Sequence, residues 1–496
     1  MKHSWGEIRP ASAPYAEPGL TPRITHDAIV IVPGIMGSEL YDTSTDNVIW
    51  GIANPRWLTR AWLRHKGLAP LHLTPDERMG DYSRVQARRL LRTPVWSPFL
   101  RGIEPYTKLV NLAEATAAHR DAVMTFPYDW RLPVTVNAQR LAEQARTHLQ
   151  NWLAHPAQTA ARGQAVQDRP ARLVFIAHSM GGLITNAALT LAGDADLASD
   201  TRGILTLGTP FQGSVIAANI LNALQGAPLP LPHTSLAAAA ATMPSVHELL
   251  PRFLCLEDGL DVRHLTPSDV DEIGGDKELF TQAQDFHTAL YGNSLPRQQP
   301  IVGARQDTVQ SLTVTQGVVR ASEYCFVTNA DRELMRDPNG VPRRMSVWGD
   351  GTVHRLSAAI STPTIPVPAQ HGALANNKKV LPLVEDFLLD HDALIRGPEQ
   401  GDDGIGLSVP DFVTPNTSWE CVITGTDDPA AVECRIAAAD GSWSSEQFSF
   451  DVADDERLNT RISLPDVGLY RITAKVDYGP EVTQIIFAGP EEPPSE

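Results

Sequence analysis

A serine between small residues follows a short apolar run near the middle of the chain. The run is Leu173–Ile176, and the next five residues read AHSMG, with the serine at position 179. A nucleophile elbow needs small residues around its serine because the sharp turn presses their backbones against neighbouring elements. Ala177 replaces the usual first glycine of such an elbow. We predict that Ser179 is a nucleophile at a helix N-terminus, where negative charge is favoured. The alternative is a purely structural turn.

A hydroxyl is a poor nucleophile near neutral pH, so Ser179 needs a base, and that base needs an orienting carboxylate. In chains with this elbow an acidic residue follows the serine and a histidine comes last. Asp350 lies in a turn between two glycines, and His371 follows 21 positions later. The gap leaves room for a helix and a strand. This order predicts a catalytic triad of Ser179, Asp350 and His371.

Three other residues compete for these roles. Asp307 also follows an apolar run, but no histidine follows it at a comparable distance. His354 is only four positions beyond Asp350, which is too close for a separate catalytic loop. His178 is adjacent to the serine and is expected to point away from its hydroxyl. Asp350 and His371 therefore remain the preferred pair.

Acyl transfer passes through a tetrahedral oxyanion, which preorganised backbone N–H groups stabilise. One donor is expected at Met180, directly after the nucleophile. The other is expected in the turn PGIMG at 33–37, where Ile35 is the predicted donor. A plain strand-ending turn is the alternative for this loop. The chemistry requires no metal and no cofactor, and none is expected.

The elements that must position these loops are visible in the apolar pattern. Apolar runs predict buried strands at Ala28–Val32, Leu173–Ile176, Ile204–Leu207 and Ile301–Val302. Apolar residues at helical spacing predict a helix over Asn137–Leu153. Buried strands that alternate with helices indicate a parallel sheet covered on both faces. The expected fold class is α/β, an α/β-hydrolase with a mostly parallel central sheet.

A chain of 496 residues is too long for one ordinary domain. Beyond residue 408 short alternating runs are spaced like the strands of a sandwich. Tyr470 there resembles the tyrosine corner of immunoglobulin-like domains, although Ile472 stands where their cysteine would be. The predicted divisions are an irregular arm at 1–25, an α/β-hydrolase domain at 26–396 with a lid insertion at about 214–300, a linker at 397–408 and an all-β Ig-like sandwich at 409–496.

Charge and cysteine content exclude some classes of protein. The net charge of −17 argues against nucleic-acid binding. From residue 401 onward five Lys/Arg face nineteen Asp/Glu, so the sandwich is expected to bind a protein partner or to act as a spacer. None of the four cysteines forms a CxxC pair, so neither zinc nor a disulfide framework is indicated. The first residues lack the apolar run of a signal peptide, and no later stretch is long and apolar enough to span a bilayer. A cytoplasmic enzyme is expected.

A basic segment at 54–68, NPRWLTRAWLRHKGL, places Trp57 and Trp62 among three arginines and a lysine. Rings interleaved with cations suit a lipid interface, with the rings at headgroup level and the cations toward anionic lipid. This interpretation predicts peripheral membrane contact through Trp57 and Trp62. The alternative is an amphipathic helix that packs its tryptophans on the protein body.

Together these motifs resemble the lecithin:cholesterol acyltransferase family, which includes lysosomal phospholipase and phospholipid:diacylglycerol acyltransferase relatives. The similarity extends from about Val30 to Leu389 and excludes the sandwich. Its most specific element is PYDWR at 127–131. The matching segments are VPGIMGSEL at 32–40, FPYDWRLP at 126–133, AHSMGG at 177–182, LGTPFQGS at 207–214, MPSVHELLP at 243–251, GDGTV at 349–353 and HGAL at 371–374.

The resemblance implies an α/β-hydrolase with a mobile lid, whose members attack a glycerolipid acyl ester and pass the acyl group to an alcohol or to water. It implies the same nucleophile, acid, base and oxyanion donors as the residues above. The signal peptide and stabilising cysteines of secreted members have no counterpart, so no plasma or lysosomal role is carried over. The resemblance also implies a site-shaping role for Tyr128, Asp129, Trp130 and Arg131.

The predicted function is therefore a serine-dependent lipid acyl-ester hydrolase or O-acyltransferase. A small-ester carboxylesterase is one alternative, and it would show no activation by lipid interfaces. A non-catalytic binding protein on a hydrolase scaffold is the other, and a fluorophosphonate probe would leave its serine unlabelled.

Overall fold

The computed structural model describes residues 24–52, 55–63, 67–97, 100–162, 169–192, 195–222, 233–290, 295–329, 333–359, 363–390, 404–446, 448–453, 457–476 and 479–490. Most of the expected N-terminal arm, residues 1–23, lies outside the described residues, as does the part of the expected linker at 397–403. Thr25 is already tied to the body, because its N–H donates to the Thr116 carbonyl at 2.9 Å.

Strands and helices alternate over residues 26–390. The strands are β1 (Ala28–Val32), β2 (Ser38–Asp42), β3 (Val48–Trp50), β4 (Val85–Leu90), β5 (Val123–Thr125), β6 (Leu173–His178), β7 (Thr201–Leu207), β8 (Leu256–Asp258), β9 (Asp261–Arg263), β10 (Arg297–Ala304), β11 (Ser311–Thr315), β12 (Val318–Ser322), β13 (Cys325–Phe326), β14 (Arg344–Met345) and β15 (Ile365–Pro368). The helices are α1 (Pro55–Leu63), α2 (Pro75–Arg78), α3 (Thr107–Thr116), α4 (Val134–Leu153), α5 (Pro156–Arg162), α6 (Met180–Thr190), α7 (Ala195–Ser199), α8 (Val215–Leu221), α9 (His233–Ala240), α10 (Pro244–Glu248), α11 (Pro267–Glu272), α12 (Lys277–Leu290), α13 (Arg355–Ala358) and α14 (Val380–Leu388).

The central sheet has six strands in the order β15-β10-β7-β6-β1-β5, and every neighbouring pair is parallel. All residues of β1 and β6 are buried, as expected for strands covered by helices on both faces. The predicted α/β-hydrolase class with a parallel central sheet is confirmed. Since parallel strands end at one edge, the loops after β1, β6, β7, β10 and β15 converge there.

Helix α4 shows how the sequence pattern translates into packing. It begins at Val134, three positions before the expected start, and its buried stripe includes Leu141, Ala145 and Leu149. Val134 follows Pro133, and its N–H donates to the Glu248 carboxylate at 2.9 Å. That contact satisfies one of the first-turn amides, which have no acceptor within a helix.

The segment expected to be a lid divides into two parts. Helices α8, α9 and α10 lie over the carboxyl edge of the sheet, and their apolar side chains line a cavity next to Ser179. The later part is built into the body, because β8 and β9 join β11 and β12 in a second sheet of order β12-β11-β8-β9. Movement of the first part remains a prediction. Among the described helices, none combines the length and the apolar content that a bilayer crossing requires.

A β-sandwich follows the hydrolase domain. Its strands are β16 (Gly406–Ser408), β17 (Phe412–Val413), β18 (Trp419–Thr424), β19 (Val432–Ala438), β20 (Ser444–Glu446), β21 (Asp451–Val452), β22 (Leu458–Ile462), β23 (Gly468–Val476) and β24 (Val482–Ala488). One sheet has the order β16-β18-β22-β21 and the other β17-β24-β23-β19-β20. The sandwich begins earlier than the sequence suggests, because residues 406–408 of the expected linker pair with β18 as strand β16.

Two features inside the sandwich bear on its classification. The Tyr470 hydroxyl donates to the Asp466 carbonyl at 3.0 Å, the hydrogen bond of a tyrosine corner. Cys421 and Cys434 are free and buried, on strands of opposite sheets. The sandwich core is therefore held by apolar packing, and no disulfide joins Cys421 to Cys434.

The five-stranded sheet of the sandwich packs on the hydrolase domain. Successive residues of a strand point to opposite faces, and in β24 Ile485 and Phe487 join the hydrolase core while Ile486 joins the sandwich core. Phe487 packs against Trp96 with ring centroids 5.3 Å apart. The buried Glu104 forms two hydrogen bonds with the Arg471 guanidinium, at 2.6 and 2.8 Å. The two domains therefore share an apolar and ionic interface.

Candidate active site

Ser179 stands in a strained turn between β6 and α6. Its φ of 53° and ψ of −128° lie in a region that L-residues rarely adopt. The turn is held on both sides, because the Ser179 N–H donates to the Leu207 carbonyl at 2.9 Å and its carbonyl accepts from the Thr209 hydroxyl at 2.9 Å. This geometry projects the side chain above the carboxyl edge of the sheet.

The three residues predicted as a triad meet in one hydrogen-bonded chain. The Ser179 hydroxyl donates to His371 Nε2 at 2.8 Å, and His371 Nδ1 donates to Asp350 Oδ2 at 2.7 Å. His371 opens a 3-10 turn at His371–Asn376, directly after β15, and its N–H also donates to the Asp350 carbonyl at 2.8 Å. All three side chains are buried. The arrangement can accept a proton from the serine and hold the imidazole in one tautomer.

Asp350 is fixed by its own loop and by the strand beside it. Its Oδ1 accepts the N–H groups of Thr352 and Val353 at 3.0 and 2.6 Å. Gly208, at φ +62°, leaves space for the contact with His371, since a Cβ there would lie 2.9 Å from Asp350 Oδ2 and 3.2 Å from His371 Nδ1. Only a glycine accommodates both the backbone angle and the close approach.

The loop after β1 lies against Ser179. A Cβ on Gly34 would be 2.8 Å from the Ser179 Cβ, which shows how closely the two backbones approach. Ile35 lines the same cavity as Ser179. Met180 is the first residue of α6, so its amide has no acceptor within the helix. Both predicted oxyanion donors thus lie beside the serine; their role in catalysis belongs to the proposal below.

A tyrosine that the sequence does not single out connects these loops. The Tyr106 hydroxyl accepts from the Gly34 N–H at 3.0 Å and donates to His178 Nδ1 at 2.7 Å. His178 Nε2 in turn donates to the His371 carbonyl at 3.0 Å. Burial and the neighbouring His371 lower the pKa of His178 to about 3, so its ring stays neutral and can both accept and donate. His178 points away from the serine hydroxyl and acts as a structural link.

The PYDWR motif shapes the site from below. Trp130 is fully buried and lines the cavity, and the Tyr128 hydroxyl donates to the Pro33 carbonyl at 2.9 Å. Arg131 is fully buried and pairs with Asp129 at 2.7 Å and with Glu77 at 2.8 Å. Arg131 Nη1 also donates to the Leu71 carbonyl at 3.4 Å. Since Leu71 lines the cavity, Arg131 connects the cavity wall to the body of the domain.

The prediction that Trp62 contacts a membrane is wrong, because the side chain is buried. Only 4% of it is exposed, and its ring packs edge-on against Trp50 and Trp96, with centroids 6.3 and 5.0 Å away. A bilayer cannot reach the ring unless this aromatic cluster opens. Trp57 is half-buried and lies edge-on to Trp50 at 6.1 Å. The amphipathic helix thus packs its tryptophans on the body, the second of the two arrangements that the pattern allows.

An apolar cavity opens beside the serine. Among the described residues, its lining contains no Lys, Arg, Asp or Glu. The polar lining groups are Ser97, Ser179, Ser214, Thr352 and His371. The remaining lining is apolar and comes from Ile35, Met36, Leu71, Leu100, Trp130, Pro210, Ile216, Ala217, Ile220, Leu236, Ala239, Ala240, Met243, Val246, Leu249 and Val353. Such a surface fits an uncharged hydrocarbon chain.

One group of metal-ligating side chains occurs away from this site. His119, Asp121 and His155 bring their ligand atoms within 4.8 Å of one another in the described part of the chain. Two ring nitrogens there already accept backbone N–H groups, from Asp121 to His119 and from Ala157 to His155. His119 and Asp121 precede β5, so they lie at the amino edge of the sheet, whereas Ser179 lies at its carboxyl edge.

A parallel sheet, a strained serine between strand and helix, and a buried Ser–His–Asp chain at the carboxyl edge of the sheet define the α/β-hydrolase class. Within that class, the family model described as lecithin:cholesterol acyltransferase matches residues 98–286. This match confirms the resemblance inferred from the motifs over that part of the chain.

The solved structures that match this chain include a lipase and a carboxyl esterase. The crystal structure of the Tle4-Tli4 complex matches with 13% identity and a TM-score of 0.44, covering 73% of this chain and 98% of that one. The propeptide form of Bacillus licheniformis lipase BlEst2 matches with 13% identity and a TM-score of 0.33, covering 96% of this chain and 77% of that one. The metagenomic carboxyl esterase MGS0156 matches with 14% identity and a TM-score of 0.28, covering 74% of this chain and 70% of that one. No curated protein matches the sequence.

Proposed function

We propose that the protein is a serine-dependent lipid acyl-ester hydrolase or O-acyltransferase. The observation that carries the proposal is the Ser179–His371–Asp350 hydrogen-bonded chain, with contacts of 2.8 and 2.7 Å, at the wall of an uncharged apolar cavity. The apolar lining supports a long acyl chain as the group that is bound. The family match over residues 98–286 supports the same class of reaction.

The proposed reaction runs through an acyl-enzyme. His371 removes the Ser179 proton as the oxygen attacks the ester carbonyl, and Asp350 holds the imidazolium that forms. The amides of Ile35 and Met180 stabilise the tetrahedral oxyanion. The ester C–O bond then breaks, and His371 gives its proton to the departing alkoxide. Water or an alcohol repeats these steps on the acyl-enzyme and releases the acid or a new ester.

Replacement of the nucleophile tests the proposal. Ser179→Ala should remove ester turnover and labelling by a fluorophosphonate probe while leaving the fold intact. Wild-type turnover by this variant would exclude Ser179 as the nucleophile. An unlabelled wild-type serine would favour a binding protein on a hydrolase scaffold.

A chain-length series separates the lipid esterase from a small-ester carboxylesterase. The value of kcat/KM should rise with acyl length as the chain fills the apolar cavity, since each buried CH₂ contributes about 0.8 kcal/mol of binding. Substitution of the cavity residue Ala239 by Glu should suppress long-chain esters more than acetate esters. Equal efficiency on acetyl and long-chain esters would favour the carboxylesterase.

We further propose that the enzyme meets its substrate at a lipid surface through residues next to the catalytic acid. Trp348 is 40% exposed and Leu356 is 48% exposed, two positions before and six positions after Asp350. The exposed Arg355 lies between them in sequence, and the Arg305 guanidinium lies 5.8 Å from the Trp348 ring centroid. Apolar side chains among cations suit an anionic headgroup region.

Vesicle binding tests this surface contact. A Trp348→Ser and Leu356→Ser double variant should bind anionic vesicles more weakly than the wild type while it keeps turnover of a soluble ester. Val467→Ser is the matched control, because Val467 is 39% exposed on the sandwich. Unchanged vesicle binding by the double variant would contradict the contact.

A further inference from the structure

The residue directly before His371 is held by the sandwich domain. Gln370 is 1% exposed, and its Nε2 donates to the Leu407 carbonyl of β16 at 2.9 Å and to Gln306 Oε1 at 3.0 Å. Leu407 lies in the first strand of the sandwich. A buried amide that loses such acceptors leaves its donor unpaired, which is costly. The backbone position of Gln370, and with it His371, therefore depends on the neighbouring domain.

The loop of the catalytic acid is tied to the same strand. The Gln306 N–H donates to the Gly349 carbonyl at 3.0 Å, and the Gly349 N–H donates back at 3.3 Å, directly before Asp350. The Gln306 side chain faces the sandwich, where its Nε2 donates to the Ile405 carbonyl at 3.1 Å and its Oε1 accepts the Leu407 N–H at 3.1 Å. Gln306 and Gln370 thus connect the two catalytic loops to one another and to β16.

A third glutamine completes this buried network from the sandwich side. Gln484 of β24 is 1% exposed, and its Nε2 donates to the Val409 carbonyl at 3.2 Å and to Asp411 Oδ1 at 3.1 Å. Its Oε1 lies 3.4 Å from the Gln370 Nε2, a longer and weaker contact than the two above. The network therefore runs from the sandwich core to the residue beside the catalytic base.

A second set of contacts supports the His371 turn from its other side. The Glu104 N–H donates to the Gly372 carbonyl at 2.9 Å, and the Glu104 carboxylate is held by Arg471 of β23. Nearby, the Ile485 N–H of β24 donates to the Arg101 carbonyl at 3.3 Å. The segment 101–104 is thus fixed between the catalytic turn and the sandwich.

We propose that the sandwich is a working part of the active site, and that Gln306, Gln370 and Gln484 are positioning residues for Asp350 and His371. This inference rests on the proposed hydrolase function. The three side chains are uncharged, so they fix the two loops without adding a charge next to the catalytic imidazole. Buried hydrogen-bonded amides hold the segments that they join in one geometry. The Nε2 groups of all three side chains find acceptors, whereas the buried Gln370 Oε1 has none. A spacer domain would not need buried amides against both catalytic loops.

Two glutamine-to-methionine variants of the full-length protein test the proposal. Gln370→Met keeps the length of the side chain and removes its amide. Gln484→Met removes the amide whose Oε1 accepts from Gln370, and it leaves both catalytic loops unsubstituted. Gln299→Met is the matched control, because Gln299 is a buried glutamine of β10 whose Nε2 donates to the Pro363 carbonyl at 3.0 Å, away from the two catalytic loops.

Displacement of a catalytic group by about 1 Å can cost on the order of 100-fold in rate. We therefore expect kcat of Gln370→Met to fall by about 10- to 100-fold, with KM changed by less than about twofold. The weaker contact of Gln484 should give about a 2- to 10-fold loss, the equivalent of one hydrogen bond. Gln299→Met should retain wild-type kcat.

A spectroscopic readout separates positioning from general stability. The proton between His371 Nδ1 and Asp350 should give a far-downfield resonance in the proton NMR spectrum, and it should shift or broaden in fully folded Gln370→Met and Gln484→Met. The same resonance in Gln299→Met should match the wild type. If Gln370→Met does not fold, Gln484→Met decides the question.

Wild-type kcat and an unshifted resonance in the folded glutamine variants would overturn the proposal, as would an equal loss in Gln299→Met. Failure of the hydrolase function has a different signature. In that case the wild-type protein turns over no ester and takes up no fluorophosphonate, while the resonance still reports whether the sandwich positions His371.

Discussion

Substitution of Gly208 by alanine tests the geometry of the catalytic acid and base without changing either residue. Gly208 has a φ of +62°, and a Cβ there would lie 2.9 Å from Asp350 Oδ2, 3.2 Å from His371 Nδ1 and 2.7 Å from Leu374 Cδ1. Ordinary van der Waals contact begins at 3.4 Å, so the carboxylate oxygen must move by at least 0.5 Å, the difference between 3.4 and 2.9 Å. The 2.7 Å bond between Asp350 and His371 is the contact that such a movement disturbs.

We expect Gly208→Ala to lower kcat by about 10- to 100-fold, equivalent to about 1.4 to 2.7 kcal/mol of transition-state stabilisation. The left-handed backbone adds a stability cost of roughly 1–2 kcal/mol. Gly259→Ala is the matched control, because Gly259 has a φ of +64° and nothing within 4 Å of the added Cβ. It should show the backbone cost in thermal unfolding and keep wild-type kcat.

The assay is steady-state hydrolysis of a chromogenic ester, combined with thermal unfolding of each variant. A folded Gly208→Ala enzyme with wild-type kcat would refute the argument that the geometry of the Asp350–His371 contact determines kcat. An equal loss of activity in Gly259→Ala would show that backbone strain alone is responsible.

Three further predictions concern stability. Arg131→Met should lower the free energy of unfolding by about 3–5 kcal/mol, because it removes the cation beside the buried Asp129 carboxylate and one of the two cations beside Glu77, which keeps Arg84. A much smaller change in chemical denaturation would contradict this cost. Trp62→Ala should cost about 3–5 kcal/mol through loss of packing against Trp50 and Trp96, and an unchanged Tm would contradict its burial. Burial raises the pKa of Glu248 to about 8, above its ordinary value of 4.5, so the folded state binds the proton more tightly than the unfolded chain. The stability that this proton contributes is therefore present below about pH 4.5 and is lost as pH rises toward 8. Glu248→Gln should flatten the dependence of Tm on pH in this window, and a dependence as steep as that of the wild type would rule out Glu248 as its source.

The sequence predicts the parts of the site that have local signatures. The small residues around Ser179, the glycine-flanked Asp350 and the order of strands place all three triad residues at one sheet edge. The burial of Trp62 is not predictable in this way, because alternating rings and cations do not specify which face of α1 meets the body.

Long-range hydrogen bonds leave no comparable signature. Tyr106 is 72 positions from both Gly34 and His178, and nothing in its local sequence distinguishes it from other tyrosines. Strand β16 and the residues before it have the composition of a loop, since the glycines and acidic residues of GDDGIG at 401–406 are typical of a linker. Its role depends on pairing with β18 and on contacts with Gln306 and Gln370, which only the folded chain brings together.

Under the proposed function, the uncharged lining of the cavity has a consequence for product release. A neutral ester would enter a cavity whose lining offers no ionic attraction, and the proposed hydrolysis would convert its acyl part into a carboxylate. An ion without a compensating partner is costly to keep away from water. Among the described lining residues only His371 carries a group that can become cationic, so the released fatty acid gains solvation by leaving the cavity head first. In the proposed hydrolysis, cleavage therefore favours departure of the product from the cavity.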